Sequence, residues 1–308
     1  MLSSKKIEWL THCTKEHLNG FKKEKRIFLK RLHYPLDLRH PKTFNEKIIW
    51  KKVYDRNPLL PITADKYRVR EYIRHVLGKK QAANILIPLY ATSTNPDTID
   101  FRALPESYII KTNHASQTNI FVQKNGSVDV TDIKDRLKKW LKKPYGLFNH
   151  EWSYIDIKPM IIIEKLLTDN ANKLPIDFKF FIFHGKCHYI FVYTNRKEKI
   201  SCSIFDTAWQ KQSITWKNSV GPKVEKPDNL AEMIEIAETL SSPFDFVRVD
   251  LYSFEDSIYF SELTHYPASG HMEMQPREFD ISLGKLWKLE RNYWKKKNHL
   301  TRQIIKEL

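Results

Sequence analysis

Val247-Arg248-Val249-Asp250-Leu251, followed by Phe260-Ser261-Glu262-Leu263-Thr264, is the pair of segments on which the reading of this chain turns. Strand alternation puts Val247, Val249 and Leu251 on one face and Arg248 and Asp250 on the other. In the second segment Glu262 and Thr264 share a face. A turn centred on Asp256 sets Asp250 opposite Glu262 and Arg248 opposite Thr264. Two facing carboxylates repel each other, and a divalent cation between them converts that repulsion into attraction. Mg²⁺ takes hard oxygen ligands and keeps room for phosphate oxygens. Arg248 beside them is suited to steady a transferring phosphoryl group or a developing oxyanion. The alternative is a solvent-facing hairpin with a cross-strand salt bridge.

Outward from this hairpin, apolar runs at 108–111 and 119–123 read as two strands joined by a polar loop, and 160–167 as a buried strand. Segments 178–183 and 187–193 form a second hairpin around His184-Gly185-Lys186, and 85–90 reads as a short strand. Helices are expected over 5–32, over 63–77 with an end near Gly78, over 131–143 and over 229–241, with a basic helical tail from about 279. Thr43-Phe44-Asn45-Glu46 has capping-box spacing and starts a helix that runs to about Tyr54. Helices and antiparallel hairpins in blocks make an α+β chain and not a doubly wound sheet.

Several charged residues sit at strand ends. Lys111 closes an apolar strand and opens Thr112-Asn113-His114-Ala115-Ser116-Gln117, a plausible phosphate grip of loop amides plus lysine. It is not a Walker A loop, which needs two spaced glycines before Lys-Ser/Thr. Asp177 and Lys179 share a strand face. Ile161-Ile162-Ile163-Glu164-Lys165-Leu166 leads a buried strand into a charged turn whose backbone suits an adenine edge and whose Glu164 suits a ribose. For the last two the competing reading is an ordinary half-buried strand with exposed charges, and for Lys111 a simply solvated lysine.

The 308 residues carry a formal net charge of +16, with 41% hydrophobic residues and only 8 glycines. This is a folded chain, and its charge favours acidic partners: anionic substrates, an anionic membrane or nucleic acid. No zinc finger, RNP-type aromatic motif or basic zipper is present, so nucleic acid is the weaker class. Basic clusters lie at 22–30, 134–143 and 285–297. The 5–32 segment, with Ile7, Leu10 and Leu18 among lysines, fits either a packed helix or a basic amphipathic helix on a membrane surface. Cys13, Cys187 and Cys202 have no metal-ligand spacing, which with the absence of a signal-like segment leads to the expectation of a cytoplasmic protein.

Taken together, these residues resemble the TupA-like ATP-grasp proteins of bacterial surface-polysaccharide gene clusters, from about Tyr34 almost to the C-terminus. The resemblance rests on Pro41-Lys42-Thr43-Phe44-Asn45-Glu46-Lys47, Ala64-Asp65-Lys66-Tyr67 with Arg70, and Leu104-Pro105 through Lys111-Thr112-Asn113-His114. It continues with Ile163-Glu164, Asp177-Phe178-Lys179-Phe180-Phe181, Phe246 to Tyr252 and Glu262-Leu263-Thr264. It implies an ATP-grasp fold in which two antiparallel-sheet subdomains hold ATP. The expected divisions are a helical N-terminal region over 1–104, a central lid subdomain over 105–166 and a C-terminal subdomain over 167–308.

By that resemblance Lys66 and Lys111 bind nucleotide phosphates, with His114 and Ser116 in the lid loop. Glu164, Lys165 and Leu166 form the adenine hinge. Lys179 meets the γ-phosphate or an acyl phosphate, and Asp177 belongs to the same cofactor site. Asp250, Glu262 and Thr264 hold Mg²⁺, and Arg248 stabilises phosphoryl transfer. Where the family often has a His-Gly-Ser-Gly lid, this chain has His114-Ala115-Ser116-Gln117, two residues that resist the positive φ glycine permits. The implied activity is an ATP-dependent carboxylate–amine ligase acting through an acyl phosphate. It would join an amine or amino acid to an acidic sugar of a capsule, O-antigen or teichuronopeptide-like polymer, in contact with the inner face of the cytoplasmic membrane. The alternatives are a glycosyltransferase, for which no D-x-D triplet is found, an ATP-dependent sugar or lipid-carrier kinase, and a non-catalytic binding module whose altered lid marks a degenerate ATP site.

Overall fold

The apolar stripe Val247-Val249-Leu251 lies at the heart of a five-stranded antiparallel sheet in the computed structural model, which describes residues 4–123, 126, 128–169, 173–194, 201–216, 221–296 and 298–307. Lys297, the end of the last basic cluster, lies outside the described residues. The sheet contains β5 (Asp177–Phe183), β6 (Lys186–Thr194), β7 (Ser201–Asp206), β9 (Phe246–Phe254) and β10 (Ser257–Thr264), in the order β10-β9-β5-β6-β7. A smaller sheet, ordered β1-β4-β2-β3, combines β1 (Leu89–Ser93), β2 (Tyr108–Thr112), β3 (Asn119–Val122) and β4 (Ile161–Lys165). The two-residue strands β8 (Thr215–Trp216) and β11 (Met274–Gln275) pair with each other.

Both faces of the large sheet are covered. Phe178, Phe180, Val247, Val249 and Leu251 pack with α4 (Leu59–Ala64), α5 (Val69–Ile85) and α7 (Leu230–Ser241). On the other face Phe181, Phe183 and Phe246 pack with α3 (Phe44–Tyr54) and α8 (Glu278–Leu286). The same face of β5 reads Asp177, Lys179, Phe181, Phe183 along its length. The apolar layer therefore covers one end of this face, and charged side chains take over at the other. In the small sheet, Tyr108, Ile110, Ile120 and Ile163 pack on Ile133 and Leu137 of α6 (Val130–Lys142), leaving Ile109, Lys111 and Glu164 to the opposite face.

The capping box of α3 is present in both directions: Glu46 N–H donates to Thr43 Oγ1 at 3.2 Å, and Thr43 N–H donates to Glu46 Oε2 at 2.9 Å. Other elements depart from expectation. The 5–32 helix is two, α1 (Ser4–Leu18) and α2 (Lys22–Leu32), because Gly20 and Phe21 adopt φ of 61° and 57° and turn Phe21 into a core of Phe28, Tyr34 and Leu36. The 63–77 helix divides at Asp65, whose carboxylate accepts from the amides of Tyr67 and Arg68, and α5 continues past a non-helical Gly78 to Ile85. The 85–90 strand forms further on, at Leu89–Ser93, while Leu86 makes an isolated bridge to Phe260. β7 escaped the sequence reading. The tail is α8 followed by α9 (Tyr293–Lys296) and α10 (Asn298–Glu307). Among the described residues no helix is long and apolar enough to cross a membrane.

Candidate functional site

The 257–264 strand meets Asp250 in the expected register, by a different route. Glu255 and Asp256, at φ of 49° and 59°, make a two-residue turn, which pairs Phe260 with Leu251. A bulge at Ser261 then inserts one residue, so that Glu262 pairs with Asp250 and Thr264 with Arg248. The bulge also lets Phe260 and Leu263, three apart, enter the same core.

Arg248 stands between the two acids. Its Nε and Nη2 donate to Asp250 Oδ1 and Oδ2 at 2.7 and 2.6 Å. Nη2 also reaches Glu262 Oε1 at 3.1 Å and Thr264 Oγ1 at 2.9 Å. Lys179, which β5 brings opposite Asp250, lies 2.5 Å from Asp250 Oδ2 and 2.7 Å from Asp177 Oδ2, with the Tyr193 ring centroid 5.1 Å away. Burial pulls Glu262 upward, but Lys66, Arg248 and Lys179 outweigh it and hold the carboxyl at about 2. Burial lowers Lys179, and Asp177 with Asp250 more than reverses this, so it stays protonated. Lys66 is lowered by burial.

The small sheet contributes the facing wall. Lys111 Nζ donates to Glu164 Oε2 at 2.9 Å, and Arg70 Nη1 to Glu164 Oε1 at 3.2 Å. Lys66 Nζ donates to the carbonyl of Ala115 at 2.7 Å, tying the α4–α5 junction to the 112–118 loop. Thr112 and Thr118 hydroxyls, 2.8 Å apart, close the base of that loop. Gln117 takes φ of 59°, so the left-handed conformation is adopted there without glycine. Ser116 Oγ lies 2.6 Å from Tyr145 Oη.

Between the sheets lies a cavity of about 220 Å³. Of the expected residues, Lys66, Lys111, Ser116, Lys165, Leu166, Asp177, Lys179, Asp250 and Glu262 line it. Four do not: Glu164 is held behind the wall by Arg70 and Lys111, His114 is fully buried, and Arg248 and Thr264 sit behind the acids they bind. Burial lowers His114 to about 4, with Lys5 and Lys66 adding to the effect. Tyr193 and Arg70 were missed as positioning residues. The hairpin pairing of Asp177 with Tyr193 could have indicated the first. Nothing local points from Arg70 to Glu164.

Among the described residues no group of three or more His, Cys, Asp or Glu side chains is placed to hold a metal by itself. The Glu262 side chain is 36% exposed to a cleft rimmed by three lysines. Asp250 lines the same cleft with its oxygens held by Arg248 and Lys179. The pair fits Mg²⁺, which usually takes one or two protein carboxylates and completes its shell with phosphate oxygens and water, provided that Lys179 turns away from Asp250.

Two antiparallel sheets that close on a cleft of lysines and strand-borne acids define an ATP-grasp fold. The family model described as TupA-like ATPgrasp matches residues 46–288, and the chain belongs to that family. No curated protein matches it. Similar solved structures include the D-alanine–D-alanine ligase of Bacillus anthracis, 16% identical over 79% of this chain and 69% of that one, with TM-score 0.43. The corresponding ligase of Helicobacter pylori is 12% identical over 74% and 62%, with TM-score 0.40. The L-amino acid ligase of Bacillus licheniformis is 13% identical over 67% and 44%, with TM-score 0.41.

Proposed function

We propose that this protein is an ATP-dependent carboxylate–amine ligase that works through an acyl phosphate. The observation that carries the reading is the convergence of Lys66, Lys111 and Lys179 with Asp250 and Glu262 on one cleft between two sheets. Lys66 and Lys111 would take the non-transferred phosphates. Lys179, now shared between Asp177 and Asp250, would turn to the γ-phosphoryl group as it passes to the substrate carboxylate. Arg248 would keep both acids ionised and aimed while that cation leaves them. Mg²⁺, held by Asp250 and Glu262, would supply neutralisation of phosphate charge. Catalysis here is positioning and electrostatics. An amine then attacks the acyl carbon, the C–O bond to phosphate breaks, and phosphate leaves with the electron pair and takes up the proton that the amine nitrogen loses. The 112–118 loop, anchored through Lys66, covers the cleft against water, which would hydrolyse the acyl phosphate. The hinge at Lys165 and Leu166 would meet adenine, with Glu164 fixing Lys111 from behind.

The family resemblance and the net charge of +16 point to an acidic sugar or amino acid as the carboxylate substrate, in surface-polysaccharide assembly at the inner membrane face. Incubation with ATP, Mg²⁺, uronic acids and amino acids tests the reading. Formation of ADP, phosphate and an amide in equal amounts is expected. ADP with a stable phosphoester, or consumption of a nucleotide-sugar without ATP, would replace it with a kinase or a glycosyltransferase.

A further inference from the structure

A second cavity, of about 150 Å³, shares no lining residue with the cleft. Its walls come from one face of α1, through His12 and Glu16, and one face of α2, through Lys23 and Arg31. Lys52 of α3 and His271, beyond β10, close it. The helical spacings of four and eight residues aim these side chains at the same space. α1 and α2 precede residue 46, so this part of the cavity lies outside the segment matched by the family.

Part of the cavity's charge is internally satisfied. Lys52, with none of its side chain exposed, donates to Ser269 O at 2.9 Å and reaches Ser269 Oγ at 3.1 Å. Glu24 Oε1 lies 3.0 Å from His271 Nε2 and 3.7 Å from Lys52 Nζ, close enough for its charge to be balanced though neither contact has hydrogen-bond geometry. The rest is not. His12 Nε2, Glu16 Oε2 and His271 Nδ1 are shielded from solvent and have no hydrogen-bond partner among the described residues. A polar atom left so costs about 1–3 kcal/mol. At the rim, Lys23 and Arg31 are exposed and pair with no acid among the described residues. Phe148, 55% exposed, stands edge-on to His12 with centroids 5.6 Å apart, an apolar surface beside the polar one.

We infer that this cavity binds a small anionic polyol, a carboxylate- or phosphate-bearing sugar or sugar alcohol. Its negative group meets Lys23 and Arg31 at the rim. Its hydroxyls satisfy Glu16, His12 and His271 within, and its carbon skeleton lies on Phe148. The site requires binding alone, so it stands or falls separately from turnover in the cleft.

Calorimetric titration of the full chain with glucuronate, glycerol phosphate and glucose tests the inference. At least one anionic probe is expected to bind saturably, and glucose at least about tenfold more weakly. Whichever anion binds more tightly distinguishes a carboxylate from a phosphate source. The double variant Lys23→Ala/Arg31→Ala, confined to exposed side chains, is expected to weaken anion binding by about tenfold or more with melting temperature and ATP binding unchanged. His12→Ala should weaken glucuronate and glucose alike. Absence of saturable binding of both anions to the folded chain, or equal affinity in the double variant, would overturn the site and leave a water-filled space.

Discussion

Arg248 relieves the repulsion between Asp250 and Glu262 with a guanidinium that touches both, so the acids are poised before any ligand arrives. Asp250→Asn keeps the side-chain shape and leaves Arg248 with Glu262 and Lys179 with Asp177. It should lower Mg-dependent ATP turnover by about a hundredfold or more while circular dichroism stays native; undiminished turnover would remove Asp250 from the chemistry. Gln117 tests the loop. A left-handed φ costs a non-glycine residue about 1 kcal/mol, against a similar entropic cost for glycine. Gln117→Gly should therefore leave thermal stability within about 0.5 kcal/mol of wild type, whereas the β-branched Gln117→Val should lose about 1–2 kcal/mol. At this scale the facing acids were legible because they sit on consecutive strands of one hairpin. The contact of Lys179 with Asp250 joins residues 71 apart and the Arg70–Glu164 pair joins residues 94 apart, so nothing local records either.

The bulge at Ser261 determines how β10 presents the site. The pairs Phe260–Leu251 and Glu262–Asp250 are neighbours in the ladder with Ser261 as the additional residue. Deleting Ser261 therefore preserves both pairs and should leave a cooperatively folded protein, while ATP turnover falls because the bulge's twist no longer aims Glu262. Loss of cooperative unfolding in a denaturation curve of the deletion would show that the bulge holds the strand itself. Elements with strong period-two or capping signals, such as β9, β10 and α3, were legible. The break between α1 and α2 carries a signal in Asn19-Gly20, a turn pair with Gly20 at φ of 61°, but the inward turn of Phe21 depends on the core that Phe28, Tyr34 and Leu36 form around it. β7 was not legible, because the stretch that separates it from β6, 195–200, is mostly charged and holds no glycine or proline to announce a turn.

Across the whole molecule, buried titratable groups set a dependence on pH. His114, lowered to about 4, and His265, lowered well below 6.5, stay neutral inside the fold and take up protons readily when unfolded. Stability should fall as pH drops from about 6.5 toward 4, by on the order of 1–3 kcal/mol for His114, and buried His265 acts in the same direction. Glu262, depressed from 4.5 to about 2, contributes above its unfolded value and loses that contribution as pH falls through this lower window. Urea unfolding across this range checks both, and His114→Gln should flatten the upper part of the profile. Lys51 offers a sharper test. It is fully buried between Asp55 at 2.5 Å and Asp245 at 2.8 Å, and Asp245 also accepts from Trp287 Nε1 at 2.8 Å. Burial lowers the ammonium, and the two acids more than restore it. Lys51→Met would strand two carboxylates and should cost about 3–5 kcal/mol in urea unfolding. The contacts of Asp245 with Lys51 and Trp287 have a consequence for assembly on the ribosome. A chain emerging from its N-terminus carries Lys51 long before Asp245 and Trp287 exist. α3 thus cannot take its final seat until the segment carrying Asp245 and Trp287 has been made.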